Sequence, residues 1–256
     1  MIVEGESQEE DPYFYGRWFG ELAREVSFYP QNGWSKVVQA VADLREQLQG
    51  REVYGIRDRD FFDEAGLQAQ VDRFPMDGVL RTRFFTLENY LLRPEGWYPV
   101  VRALHRATLP QGWSSIDEVQ AQIDAAYRQC LPVAAHNWTV HDENVRLPQG
   151  GLTYVEAPVD AQDLRDRLTR WEAGRGVPRP LASCFDDHLS DLQGLTGAEW
   201  PHWVTGKAVL KALLKVLPLP RNKKLDEALM VNLYMDKHPD PPPELEQLVR
   251  QIVALP

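Results

Sequence analysis

Apolar positions in the N-terminal part of the chain fall into short runs separated by stretches with helical spacing. Residues 1–5 read as a strand that runs straight into an acidic turn. Asp11-Pro12 opens a helix through about residue 24, with Phe14, Trp18, Phe19 and Leu22 spaced for one buried face. A second strand is expected over 25–29. Residues 34–48 have an amphipathic pattern, with Val37, Val38, Val41, Leu44 and Leu48 on one side and Gln49-Gly50 as the stop. Val53-Tyr54-Gly55-Ile56 is a third strand, apolar on both faces as a central parallel strand should be. A fourth follows over 79–85, then a short helix over 87–92. Strand and helix in alternation imply a parallel sheet covered by helices.

After Pro94 the pattern becomes helical, with helices expected over 99–106, 116–131, 161–173, 206–217, 225–235 and 244–255. Residues 149–157 could hold a minor strand, and Pro/Gly clusters at 174–180 and 239–243 mark loops. The expected fold class is therefore α/β, a mostly parallel, Rossmann-like sheet flanked by helices and followed by a helical C-terminal region. Residues 1–107 are assigned to the α/β core and 108–256 to the helical region packed on it, with a boundary near 93 as the alternative.

Composition changes this picture little and charge changes it more. At 43% hydrophobic and 26% charged the chain has the profile of an ordinary soluble globular protein. No run of 18 apolar residues occurs, so no membrane span is expected. The N-terminus lacks a secretory pattern, and two cysteines, Cys130 and Cys184, are too few for a disulfide framework, so a cytoplasmic protein is expected. The net charge of −10 speaks against a nucleic-acid partner until its distribution is considered. Residues 200–225 hold six Lys or Arg and no acid, while residues 1–12 hold five acids and no base. Such segregation suits a protein that binds cations at one place and phosphates beside it.

The chemistry-bearing segments are Ile2-Val3-Glu4-Gly5-Glu6-Ser7 and Gly55-Ile56-Arg57-Asp58-Arg59-Asp60-Phe61. Each is a strand that ends in carboxylates. On an extended backbone Asp58 and Asp60 point to one side and Arg59 to the other. Functional groups of a parallel sheet gather at the carboxyl ends of its strands, so Glu4 and the Asp pair meet if their strands are neighbours. Hard oxygen donors of this kind suit Mg²⁺ or Mn²⁺. The alternatives are a charged loop after a buried strand for Asp58 and Asp60, and helix capping for Glu4. Lys207, Lys211 and Lys215 recur every fourth residue on one helix face, and with Arg221, Lys223 and Lys224 they form a candidate phosphate-binding surface. A solvated basic stripe is the competing explanation. Gly206-Lys207 lacks the glycine-rich run of a P-loop. His136, His141, Asp142 and Glu143 match no metal-ligand spacing and read as a turn, as do Asp186, Asp187 and His188.

Glu-Gly at the end of a first strand and Asp-x-Asp at the end of a later one resembles the topoisomerase–primase (TOPRIM) pattern. Together with Ser35-Lys36-Val37, Leu87-Glu88-Asn89-Tyr90-Leu91-Leu92 and Thr205-Gly206-Lys207, the order is similar to that of TOPRIM-like domains associated with ABC-type ATPases. These include the overcoming-lysogenization-defect nucleases and the effector of the PARIS anti-phage system. The resemblance implies a TOPRIM-like fold and a metal-dependent endonuclease acting on DNA or RNA, tRNA included, as an anti-phage effector. It implies Glu4, Asp58, Asp60 and Glu88 at Mg²⁺ or Mn²⁺, Lys207 near the scissile phosphate, and an ATPase partner. The chain departs from the pattern at Gln8, where many relatives carry an acid, with Glu6 or Glu9 as substitutes; one metal or two stays open. The chain begins almost on its first strand, so no preceding ATPase segment is expected within it. A non-catalytic regulatory or nucleic-acid-binding subunit of an ATPase complex is the alternative function, and a homodimer is a further possible assembly.

Overall fold

The computed structural model describes residues 1–4, 11–20, 26–31, 33–48, 52–105, 108–146, 151–219, 227–238 and 240–253. The chain divides into two compact units, Met1–Leu87 with Pro239–Pro256, and Glu88–His238.

The first unit is built on four short strands, β1 (Ile2–Glu4), β2 (Tyr29–Gln31), β3 (Gly55–Arg57) and β4 (Val79–Arg81). They form an all-parallel sheet in the order β2-β1-β3-β4. Parallel pairing requires a crossover between successive strands. Three helices supply it: α1 (Asp11–Trp18), α2 (Trp34–Gln47) and α3 (Glu64–Asp77). Helix α1 ends well before residue 24, with Gly20, a poor helix former, just beyond it. Leu22 and Glu25 lie outside the described residues. Strand β2 is shifted toward higher numbers than the expected 25–29. It includes Pro30, whose missing N–H is tolerated because β2 is an edge strand.

Helix α2 buries a narrower stripe than its sequence suggests. Val37 and Val41 join Ile2, Val53 and Val79 in the core with Leu44 packed against them, whereas Val38 and Leu48 are exposed. Gly55 makes this packing possible. A Cβ there would come within 3.0–3.2 Å of Val37, Val41 and Val79, so the glycine lets α2 lie directly on β3. Helix α3 has no counterpart in the apolar periodicity, because Leu67, Val71 and Phe74 are sparse and Val71 is exposed. Its ends carry the signals instead. The Asp63 side chain accepts the Gly66 N–H at 2.7 Å, and Gly78 closes the helix in the left-handed conformation. Helix α10 (Pro243–Val253) also belongs to this unit and buries Leu245, Val249 and Ile252.

The second unit is helical: α4 (Pro94–Leu104), α5 (Ile116–Arg146), α6 (Ala161–Glu172), α7 (Leu181–Gly194), α8 (Gly206–Val216) and α9 (Glu227–Lys237). Helix α4 begins five residues before the expected 99, with Pro94 in the first turn where its fixed φ suits a helix. Helix α5 packs against α4, α6, α7 and α8. It continues through Pro132 for 31 residues rather than ending at 131. The proline removes one backbone bond, yet Cys130, Leu131 and Val133 to Ala135 are all buried, and that packing holds the helix together. The stretch expected as a turn around His136, His141, Asp142 and Glu143 is therefore helical, and His188 with its acidic neighbours lies within α7. No strand forms at 151–157; side chains bind its backbone instead. Asn137 accepts the Val155 N–H and donates to the Val155 carbonyl, both at 2.8 Å. Both cysteines are free thiols. Among the described residues no helix is long and apolar enough to cross a membrane.

Candidate functional site

Strands β1 and β3 are neighbours in register, Ile2 opposite Gly55 and Val3 opposite Ile56. Their carboxyl ends therefore open at one edge of the sheet. There the backbone N–H of Asp58 donates to a carboxylate oxygen of Glu4 at 2.9 Å. Glu4 is thus fixed against the loop that leaves β3, and the side chains of Glu4 and Asp58 belong to one edge.

Asp60 reaches this edge by a route the sequence does not show. Strand β3 ends at Arg57, so the extended alternation expected to align Asp58 with Asp60 is absent. Asp60 instead adopts φ 52°, a left-handed conformation rare for residues other than glycine but tolerated by aspartate. Its N–H donates to the Phe85 carbonyl at 3.0 Å, and its carboxylate stands 3.8 Å from Arg81 Nη1. Non-glycine residues held this way concentrate at functional loops.

The residues that sequence reasoning missed are Arg57 and Arg81. They are register partners on β3 and β4, and both are buried. Like charges side by side on a sheet repel, and burial adds a desolvation cost. Arg81 Nη1 donates to the Asp58 carbonyl at 2.8 Å and to the Arg59 carbonyl at 3.2 Å. Burial, reinforced by the like charge of Arg57, pulls the Arg81 guanidinium down to about 10, against the opposing pull of Asp60, Glu4 and Asp58. Burial lowers Arg57 too, opposed by Glu4, Asp60 and Asp58. Both remain cationic at neutral pH. Among the described residues, three carboxylates, Glu4, Asp58 and Asp60, therefore act on the two guanidiniums of Arg57 and Arg81. The sequence holds a matching pattern, Gly55-Ile56-Arg57 and Val79-Leu80-Arg81, each closed by a basic residue, but only the register of the sheet makes the two neighbours.

Arg59 lies apart from this cluster. Its side chain is buried and donates to the Phe62 carbonyl at 2.8 Å and the Arg83 carbonyl at 3.1 Å, and it meets Glu64 at 3.3 Å. Thr82 accepts the Arg59 N–H at 3.2 Å. The loop from Asp58 to Phe62 is accordingly tied from both sides by buried guanidiniums.

The donor chemistry fits a divalent cation in part. Glu4, Asp58 and Asp60 are hard oxygen donors, but among the described residues no three acidic, His or Cys side chains converge as a ready-made metal cage. Asp60 stands beside Arg81, and Glu4 is engaged by the Asp58 amide. Mg²⁺ is commonly held by only one or two carboxylates, with waters and substrate phosphates completing its shell. Glu4 and Asp58 meet that smaller requirement; a three-carboxylate cage is not present among the described residues.

The remaining sequence candidates fall in the second unit or outside the described residues. Glu88 lies in a 3-10 helix (Leu87–Leu91), with one carboxylate oxygen enclosed and without a hydrogen-bond partner among the described residues. The first turn of α8 sits on this helix. Asn89 accepts the Gly206 N–H at 3.0 Å and donates to the Val204 carbonyl and to Tyr127 Oη, both at 3.0 Å. A Cβ on Gly206 would come within 2.3 Å of the Asn89 nitrogen and 2.7 Å of the Glu88 carbonyl carbon, so glycine is required there. The structure thus brings the Glu88 and Gly206-Lys207 segments together. Lys207 pairs with Glu156 at 3.6 Å. Lys207 and Lys211 are half-buried and Lys215 is exposed, along the side of α8 away from its buried residues Ala208, Val209 and Ala212. Glu6, Gln8, Glu9, Arg221, Lys223 and Lys224 lie outside the described residues. Compared with protein-family models and with curated proteins, the chain matches none.

Proposed function

We propose that the chain is a divalent-metal-dependent nuclease that hydrolyses phosphodiester bonds of DNA or RNA at the carboxyl edge of β1 and β3. The observation that carries this reading is the 2.9 Å hydrogen bond from the Asp58 amide to Glu4. It couples the ends of two adjacent parallel strands where open α/β sheets bind their ligands. Glu4 and Asp58 would hold Mg²⁺ or Mn²⁺, drawn by the carboxylates of this edge. When bound, the cation supplies Lewis-acid neutralisation of phosphate charge. The chain's own residues supply preorganisation. Arg81 holds the Asp58 and Arg59 carbonyls and faces Asp60, so the acidic loop needs no rearrangement when a phosphate arrives. The resemblance to ATPase-associated defence nucleases extends the proposal to an ABC-type ATPase partner.

The test is cleavage of plasmid DNA, single-stranded DNA and total tRNA with Mn²⁺ or with EDTA, by the wild type and by Asp58→Asn. Cutting that requires Mn²⁺ and disappears in Asp58→Asn is expected; cutting retained by that variant overturns the assignment.

A second reading has its own observation, the approach of Arg81 to Asp60 and the absence of a three-donor cage among the described residues. A non-catalytic nucleic-acid-binding subunit would keep the folded edge and dispense with the cation. Mn²⁺ would then leave the unfolding temperature unchanged, whereas a ligand that binds the native state raises it.

A further inference from the structure

We infer that the Phe62 ring is a stacking platform for one unpaired nucleobase of the strand whose phosphodiester enters the carboxylate edge; this rests on the nuclease reading above and names its substrate class. Phe62 follows Asp60 by two residues and is 41% exposed. Single exposed aromatic residues are common and need no explanation. This one is held from beneath. The buried Arg59 donates to its carbonyl at 2.8 Å, and the Phe62 N–H returns to the Arg59 carbonyl at 3.3 Å. The buried Arg81 guanidinium lies 3.5 Å from the ring centroid, a close cation–π contact.

Arg81 is also the group that donates to the Asp58 carbonyl at 2.8 Å and stands 3.8 Å from the Asp60 carboxylate. Ring and acidic loop therefore touch the same guanidinium. By contrast, the neighbouring Phe61 is spent on the interior, edge-on to buried Phe85 at 5.1 Å. An aromatic side chain already ordered by its backbone and by a cation beneath it loses little further freedom on binding. It offers a neutral surface beside an acidic edge, and every base has a face that can lie on it. A base paired in a duplex is already stacked on its neighbours. The substrate class that fits is a single strand, loop or frayed end, of DNA or RNA.

The experiment measures binding of a labelled single-stranded DNA, a single-stranded RNA of the same sequence and a blunt DNA duplex by fluorescence anisotropy. Ca²⁺, a hard cation of the same charge, replaces Mn²⁺. The full chain is used as wild type, Phe62→Ala, Phe62→Leu and Phe62→Trp. Phe62→Ala and Phe62→Leu are expected to weaken single-strand binding by about 5- to 100-fold, the loss of one stacked base. Phe62→Trp restores it, and duplex binding is the same in all four. Phe62→Leu keeps an apolar cover on Arg81, so a loss shared by Ala and Leu and reversed by Trp belongs to the ring and not to the fold. The DNA and RNA arms identify the sugar. Wild-type binding that Phe62→Ala leaves unchanged, or duplex binding that falls in parallel, overturns the platform and leaves the nuclease reading standing. No binding of any oligonucleotide by the wild type overturns both.

Discussion

Along the sheet edge the buried polar side chains are mainly Arg57, Arg59 and Arg81, whereas inside the helical unit they are mainly Asn89, His136, Asn137, Thr139 and Thr205. Among the described residues of the helical unit Glu143 is the buried charge, and Arg146 neutralises it. The two inventories serve different ends. Asn89 and Asn137 each bond backbone groups that would otherwise be stranded, the first at the start of α8 and the second along 151–157. Neutral amides do this at modest cost because nothing charged is taken out of water. A buried guanidinium carries a desolvation penalty of several kcal/mol, roughly, that geometry must offset. Arg59 and Arg81 tying one loop from both sides, with Arg57 beside Arg81 on the sheet, is an arrangement that stability alone does not call for. Buried charge beside half-exposed acids is a mark of a site, and buried amides with matched backbone partners are a mark of a scaffold.

The sharpest way to break that contrast is to remove one group from each side. Arg81→Leu strips the Asp58 and Arg59 carbonyls of a charged donor, so a loss of roughly 3–5 kcal/mol is expected by chemical denaturation. A loss below about 1 kcal/mol, the level of a surface pair, would mean that the guanidinium does not shape the loop. Asn89→Ala removes three hydrogen bonds at once, and a loss of about 2–3 kcal/mol is expected. Gly206→Ala should fall in the same range, because the new methyl meets backbone and not a movable side chain.

The order in which these groups could be read from the chain follows from their physics. The parallel sheet was legible because helices separate apolar stretches such as Val53-Tyr54-Gly55-Ile56, although the strand itself runs Gly55–Arg57. Glu4 and Asp58 were legible as strand-end carboxylates because Glu4 closes β1 and Asp58 directly follows β3. Arg57 and Arg81 were not, since a basic residue at a strand end ordinarily reads as exposed, and only the register of β3 with β4 makes the two neighbours. The strand alternation expected to align Asp60 with Asp58 is absent, because the strand stops three residues before Asp60 and a positive φ turns the chain there. Helix α5 outran its expected end because Pro132 is outweighed by the packing around it. Helices α3 and α7 escaped the periodicity, and for α3 the two caps would have found it. Helix α7 buries Leu181, Phe185 and Leu192, a sparse apolar spacing interrupted by the Asp186-Asp187-His188 run.

A smaller effect separates the structural from the functional role of Glu4. Its carboxylate accepts the Asp58 N–H, and a glutamine keeps an oxygen that can do the same. Glu4→Ala should cost about 1.5–3 kcal/mol, the range for a hydrogen bond to a charged group, and Glu4→Gln much less. Both should lose the Mn²⁺-dependent rise in unfolding temperature, because the amide oxygen carries no charge for the cation. A rise that survives in Glu4→Gln would assign the cation to other residues and leave Glu4 as a strap between β1 and β3.

The helical unit carries the smallest expected effect, a pH dependence with a definite sign. His136 is fully buried in α5, with Nδ1 3.2 Å from Asn137 Oδ1 and Nε2 enclosed without a hydrogen-bond partner among the described residues. Burial lowers its pKa below 6.5, Arg167 lowers it further, and the contact with Asn137 only partly opposes them. The unfolded chain then binds a proton on this ring that the folded chain refuses. Stability is fully present above the unfolded value and declines as pH falls below about 6.5 toward the lower folded value. His141 shifts in the same direction, also through burial, and adds to the slope. In His136→Leu the Asn137 oxygen keeps its bond from the Val155 N–H, so the exchange leaves no new unsatisfied group and stability near neutral pH should change little. Denaturation of both proteins at about pH 7 and pH 5 should therefore show the variant losing less than the wild type. Equal losses would move the proton linkage to the carboxylates and leave His136 as a ring that packs and does not titrate.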